Sequence, residues 1–168
     1  MSELHHECGI AAVYFIPGLP KPDFLDTEPE EVSRLIPRML LDIQNRGQLA
    51  AGMTVYNAEN PLLLQTYKDV GTVSEVFRLS HRGKSESLMR EFCGSAAIGH
   101  VRHATCGRDH RNYAPPLERA HVRRHKWFAF AFNGQLANFE SLADELLQDY
   151  DHSLAMRTDT EIILHEIS

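Results

Sequence analysis

The sequence contains no apolar run long enough to cross a bilayer, which takes about 20 residues. Cysteine is scarce: Cys8, Cys93 and Cys106 form an odd, scattered set with no C-x-x-C pair. That pattern excludes a disulfide scaffold and fits a reduced, cytoplasmic chain with one thiol free to react. Basic charge is also in short supply, with 17 Lys and Arg against 23 Asp and Glu. The one basic run, His121-Val122-Arg123-Arg124-His125-Lys126, is too short for a phosphate-binding face. It reads as a solvated hairpin rim, so neither nucleic acid nor membrane is an expected partner. Residues Met1 to Glu7 have neither the basic end nor the apolar core of a secretory signal.

What is present suits one globular domain, since 168 residues bury a real core but rarely build two. Gly9 to Phe15 is a continuous apolar run and predicts a buried strand. Thr27 to Glu30 has the spacing of a capping box, ahead of Val32, Leu35, Ile36, Met39, Leu40 and Ile43 at helical spacing. Pro37 inside that helix should kink it or move its start later, and Asn45-Arg46-Gly47 ends it. Strands are expected at 53–56 and 62–67 around a turn at 57–61, and at 96–101 and 127–132. Further helices are expected after the Thr72–Glu75 box, at 85–92, after Asn138, and after the Thr158–Glu161 box. Residues 102–117 read as a long, polar, functional loop. Strands and helices mix without regular alternation, which implies α+β layers.

Four places can carry chemistry. A cysteine before a buried strand is most often a core residue. If Cys8 began the chain, however, its own α-amine, with a pKa of about 8, could take the thiol proton. Arg102 closes a strand and opens a polar loop, where its fork can hold a carboxylate or simply form a salt bridge. Asn133-Gly134 directly follows a strand, so a side-chain amide and a backbone N–H can converge on an oxyanion; an ordinary Asn-Gly turn is the commoner use. Asp159 opens a helix, where it can serve the helix dipole or meet an ammonium group. Two histidine-rich clusters, His100, His103, Cys106 and His110, and His5, His6 and Cys8, lack any recognised zinc-ligand spacing, so no metal or cofactor is expected.

The order of these residues carries more than each alone. Glu7-Cys8-Gly9-Ile10, Asn45-Arg46-Gly47-Gln48-Leu49-Ala50-Ala51-Gly52, Gly99-His100-Val101-Arg102-His103-Ala104-Thr105, Phe132-Asn133-Gly134-Gln135-Leu136-Ala137-Asn138 and Thr158-Asp159-Thr160-Glu161 resemble the successive motifs of class II glutamine amidotransferase domains, which are N-terminal nucleophile hydrolases. The Arg46 to Gly52 motif and Gly71 to Phe77 resemble the branch that aminates phosphoribosylpyrophosphate in purine synthesis. The resemblance implies a four-layer αββα sandwich over residues 8–168, preceded by a leader or propeptide, 1–7, and stopping short of the family's full domain. It implies Cys8 as the nucleophile toward L-glutamine, with Asn133 and Gly134 holding the oxyanion. Arg102 and Thr105 would bind the α-carboxylate, Asp159 the α-ammonium, and Arg46 would sit beside the nucleophile. Ammonia would pass to an acceptor domain absent from this sequence, in a protein that is a homo-oligomer at full length. The alternatives are an inactive binding or regulatory module, or an amidotransferase with another ammonia acceptor. Against the family's pattern, Leu49 stands where Asp is common, His103 where an aromatic residue is usual, and Cys106 follows Thr105 in place of a small residue.

Overall fold

The computed structural model describes residues 8–103, 110–149, 154 and 157–168. Among them, no helix is long and apolar enough to cross a membrane.

The apolar run behind Cys8 forms strand β1, Gly9–Tyr14. A 3-10 turn over Val32–Arg34 leads into helix α1, Leu35–Asp42. Pro37 is the third residue of α1, within the first turn, where no N–H is needed, so it marks the late start its ring demands. The Thr27–Glu30 box does not cap this helix. Arg34 occupies the N-cap without a side-chain bond, and Thr27 is buried instead. Capping spacing is a local signal, and burial of Val32 and Ile36 decides where the helix begins.

Strands β2, Ala50–Tyr56, and β3, Leu64–Val70, are joined by a turn in which the side-chain oxygens of Asn57 and Asn60 accept from the backbone N–H groups of Glu59 and Leu62. The Thr72–Glu75 box is complete: the Glu75 carboxylate accepts from the Thr72 backbone N–H at 2.8 Å and opens helix α2, Val73–Val76. Helix α3, Arg82–Glu91, and strand β4, Ala96–Arg102, follow. The four strands make an antiparallel sheet in the order β1-β4-β2-β3.

Period-two alternation gives the sheet two different faces. Ala11, Met53, Val55, Ala97 and Val101 turn toward α1–α3 and pack with Ile36, Leu40, Val73, Phe77 and Met89 into the main core. Phe77 is fully buried there, a contribution of roughly 1.5–3 kcal/mol for a side chain of its size. Tyr67 packs on that ring with centroids 6.0 Å apart.

On the other face lies a two-stranded antiparallel sheet of β5, Leu117–Arg119, and β6, Phe128–Phe130. Polar bonds join the two sheets. Lys68 Nζ donates to the Pro116 carbonyl at 3.1 Å, and Thr66 Oγ1 donates to Glu118 at 2.5 Å. Burial pushes the Lys68 pKa down to about 8; Glu118 opposes that shift and Arg111 adds to it. The basic run connects β5 to β6 and is exposed throughout, as a hairpin rim should be.

Helices α4, Phe139–Asp149, and α5, Asp159–Glu166, form the outer layer. They share a smaller core of Ala143, Leu146 and Ile162, and α5 lies beside β5. The Thr158 hydroxyl accepts from the Glu161 N–H, but Glu161 reaches back one residue further, to the Arg157 N–H at 2.8 Å. The result is helices, sheet, sheet, helices: the αββα order that the resemblance implied.

Candidate active site

Cys8 immediately precedes β1, so the rigid sheet fixes one side of it. Its Sγ lies 3.8 Å from the His103 carbonyl oxygen, to which the thiol donates. Its own carbonyl oxygen accepts from two side chains: Arg46 Nε at 3.1 Å and Asn133 Nδ2 at 3.0 Å. The Asn133 amide has two N–H bonds. One is engaged with Cys8, which leaves the other to serve a bound group beside the thiol.

Arg46 ends a 3-10 turn, Gln44–Arg46, that rests directly on the end of β4. Gly47 makes that approach feasible. A Cβ there would sit 2.5 Å from the Arg102 carbonyl carbon and 2.8 Å from the His103 nitrogen, both backbone atoms. The Leu49 N–H then donates to the Arg102 carbonyl at 3.1 Å, tying this turn to the strand end that carries Arg102. At Gly134 the neighbour is a side chain: a Cβ would come within 2.8 Å of the Phe132 ring.

These residues open onto one cavity of about 360 Å³, lined by Cys8, His100, Arg102, His103, Tyr113, Pro115, Phe132, Asn133, Gly134, Gln135, Thr158, Asp159 and Thr160. That is at the small end of the range of about 300–1,000 Å³ usual for small-molecule sites. Arg102 comes from the end of β4, and its guanidinium sits 5.7 Å from the centroid of the Tyr113 ring, a cation–π contact. Asp159 is the first residue of α5, and one carboxylate oxygen accepts from the Leu136 N–H at 2.7 Å. Its second oxygen is available to meet a cation in the cavity. The pocket thus holds a cationic fork, an anionic carboxylate, a thiol and a side-chain amide. A zwitterionic amino acid with a reactive group at its far end needs these four functions.

The structure brings Cys8, Arg102, Asn133, Gly134 and Asp159 together on that cavity. Arg46 joins them through the Cys8 carbonyl and does not line the wall. Thr105 lies outside the described residues, as does Cys106. Sequence reasoning passed over Tyr113, which no periodicity or motif marks, and saw His100 only as a candidate metal ligand. His100 is almost completely buried, and burial, aided by the charge of Arg102, pushes its pKa down to about 4 although its bond to the Phe132 carbonyl pulls the other way.

Comparison with known proteins agrees with this geometry. A family profile described as "Glutamine amidotransferase domain" matches residues 62–168. The amidophosphoribosyltransferase of Synechococcus elongatus is 34% identical over 161 residues, covering 95% of this chain and 27% of that protein. Amidophosphoribosyltransferase 1, chloroplastic, of Arabidopsis thaliana is 33% identical over 162 residues, covering 96% of this chain and 24% of its own length. A solved structure of glutamine phosphoribosylpyrophosphate amidotransferase from B. subtilis superposes with a TM-score of 0.64 at 29% identity, over 81% of this chain and 26% of that one. The chain therefore spans about a quarter of the length of these relatives. The profile covers well over half of the chain, and the fold agrees with it: the chain belongs to the glutamine amidotransferase domain family, of class II.

Proposed function

We propose that this chain hydrolyses the side-chain amide of glutamine, with Cys8 as the nucleophile after the leader 1–7 is removed. The observation that carries the reading is the pair of hydrogen bonds that the Cys8 carbonyl oxygen accepts. Arg46 and Asn133 hold the nucleophile's backbone so that its thiol and the Asn133 amide share one cavity with Arg102 and Asp159.

Arg102 takes the glutamine α-carboxylate, with Thr105 assisting, and Asp159 takes the α-ammonium, which directs the amide toward Cys8. The Cys8 sulfur adds to the amide carbon and its proton passes to the α-amine freed at the same residue. The carbonyl π electrons move to oxygen, and the Asn133 amide and Gly134 N–H hold that charge. The α-ammonium returns the proton to the leaving nitrogen, the C–N bond breaks, and ammonia departs. Water then hydrolyses the thioester to glutamate. In the peptide bond to Glu7 the Cys8 nitrogen is an amide and cannot accept the proton, so removal of the leader is a condition of activity.

Ammonia is delivered to phosphoribosylpyrophosphate by a synthase domain outside this sequence, as the amidophosphoribosyltransferase relatives suggest. The full-length protein would be a cytoplasmic homo-oligomer, and the amidotransferase domain itself uses no cofactor. Intact mass and glutamate release test the reading together. A chain beginning at Cys8 that releases glutamate, and loses this in Cys8→Ala, is the expected result. A chain that starts at Met1 and releases none in any preparation refutes it in favour of a non-catalytic module.

A further inference from the structure

His100 lies on β4, on the face turned toward the two-stranded sheet, with 1% of its surface exposed. A buried polar ring is costly unless it is hydrogen-bonded. Its Nε2 lies 3.3 Å from the Phe132 carbonyl oxygen. A carbonyl only accepts, so the proton belongs on Nε2. Nδ1 meets no hydrogen-bond partner among the described residues. The polar attachment of this ring is therefore the peptide group immediately before Asn133.

That peptide group lies beyond the sheet. The β5–β6 ladder ends at the pair Leu117 and Phe130, two residues before Phe132. The Phe132 carbonyl and the Asn133 nitrogen share one rigid plane. The Asn133 Cα lies in the same plane, so fixing the oxygen fixes where that carbon stands and the base from which the Asn133 side chain and the Gly134 N–H extend.

We propose that His100 is a positioning residue for the oxyanion site: its Nε2–H holds the Phe132 carbonyl, and so aims the Asn133 and Gly134 donors beside Cys8. This rests on the glutaminase reading above. His100 touches the Phe132 carbonyl rather than the reacting atoms and exchanges no proton with them. Burial keeps the ring neutral, which suits a fixed donor and not a base.

The test uses the full chain beginning at Cys8, with His100→Phe, which fills the space without a donor, and His100→Gln, whose amide can still donate. Besides turnover, the affinity for glutamate γ-semialdehyde is measured. The Cys8 sulfur adds to that aldehyde, forming a C–S bond while the carbonyl π electrons become an oxyanion and the thiol proton passes to the α-amine. Interactions made only in the transition state change kcat and not KM. His100→Phe should lower kcat roughly 10–100-fold and weaken the aldehyde in parallel, with the glutamine KM within about threefold, because one oxyanion donor is worth ~10²–10³ and is here misaimed rather than deleted. His100→Gln should restore most of the loss. A His100→Phe enzyme within threefold of the parent, or one whose KM rises in step with the fall in kcat, overturns the proposal. A readout independent of turnover separates it from the glutaminase reading. Nitrogen NMR at pH 7 should show the neutral Nε2–H tautomer, and His100→Gln should preserve the Asn133 side-chain amide resonance that His100→Phe shifts. An Nδ1–H tautomer, or an Asn133 resonance indifferent to both variants, overturns the positioning role even in a chain that hydrolyses nothing.

Discussion

Replacing Gly47 by alanine places a methyl group where the backbone of β4 already stands. The new carbon would sit 2.5 Å from the Arg102 carbonyl carbon, 2.8 Å from the His103 nitrogen and 2.9 Å from the Arg102 nitrogen. Ordinary contact begins near 3.4 Å, so the turn and the strand end must separate by close to 0.9 Å. Backbone cannot swing aside as a side-chain tip does. Overpacking of this kind typically costs about 1–3 kcal/mol. For a chain of this size each kcal/mol lowers Tm by roughly 2–4 °C, so a fall of about 2–12 °C is expected. The functional cost is separate. The movement strains the Leu49 to Arg102 bond and displaces the guanidinium proposed above to receive the glutamine carboxylate. A misplacement near 1 Å can cost ~10²-fold in catalysis. Because carboxylate binding holds ground and transition states alike, most of the loss should appear as a raised KM. Gly83→Ala is the matched control. Gly83 is the second residue of α3 and has nothing within 4 Å of its added Cβ, so alanine there should stabilise by up to about 1 kcal/mol. Melting curves and glutamate-release kinetics on both variants decide the matter. A Gly47→Ala protein with the parent's Tm and KM would refute the packing argument and, with it, the claim that this glycine sets the position of Arg102.

Asn133→Ala should lower glutaminase kcat ~10²–10³-fold with little change in KM, read by glutamate release, because it removes a proposed oxyanion donor. Thr72→Ala should cost about 1 kcal/mol, seen as a lower urea midpoint with an unchanged slope, since it removes the cap of α2. Lys68→Met tests the buried ammonium through pH. The folded Lys68 pKa, about 8, lies below its usual 10.5, so between these values the unfolded chain binds more protons and stability rises with pH. The parent should therefore gain stability from pH 8 to pH 10 relative to Lys68→Met, and parallel stability–pH curves for the two would contradict this.

The four strands of the main sheet, β6 and the α3–α5 helices were legible because period and length agree there, as in β2, whose Met53 and Val55 face the core, whereas the short β5 begins at Leu117, where a loop was expected. Thr27 shows where local reading stops. The spacing to Glu30 is right for a cap, yet Thr27 is buried and the helix waits until Leu35. The site divides in the same way. Cys8, Arg102, Asn133 and Asp159 stand in recognisable motifs, so the order of the motifs announced them before any geometry was known. Their contacts follow from tertiary structure that no local pattern encodes. Tyr113 meets the Arg102 guanidinium through a ring contact that no spacing marks, and His100 finds the Phe132 carbonyl because two sheets meet face to face.

The carbonyl of Cys8 is held by residues 38 and 125 positions further along the chain. During synthesis, Cys8 emerges well before its Asn133 partner, 125 positions further on. Arg46 and the His103 carbonyl can hold Cys8 once β1 and β4 have paired, but the Asn133 amide reaches it only after the chain has continued through β6. The thiol is thus made long before the contact that completes its surroundings, and the site can be assembled only after the segment carrying Asn133 has been synthesised.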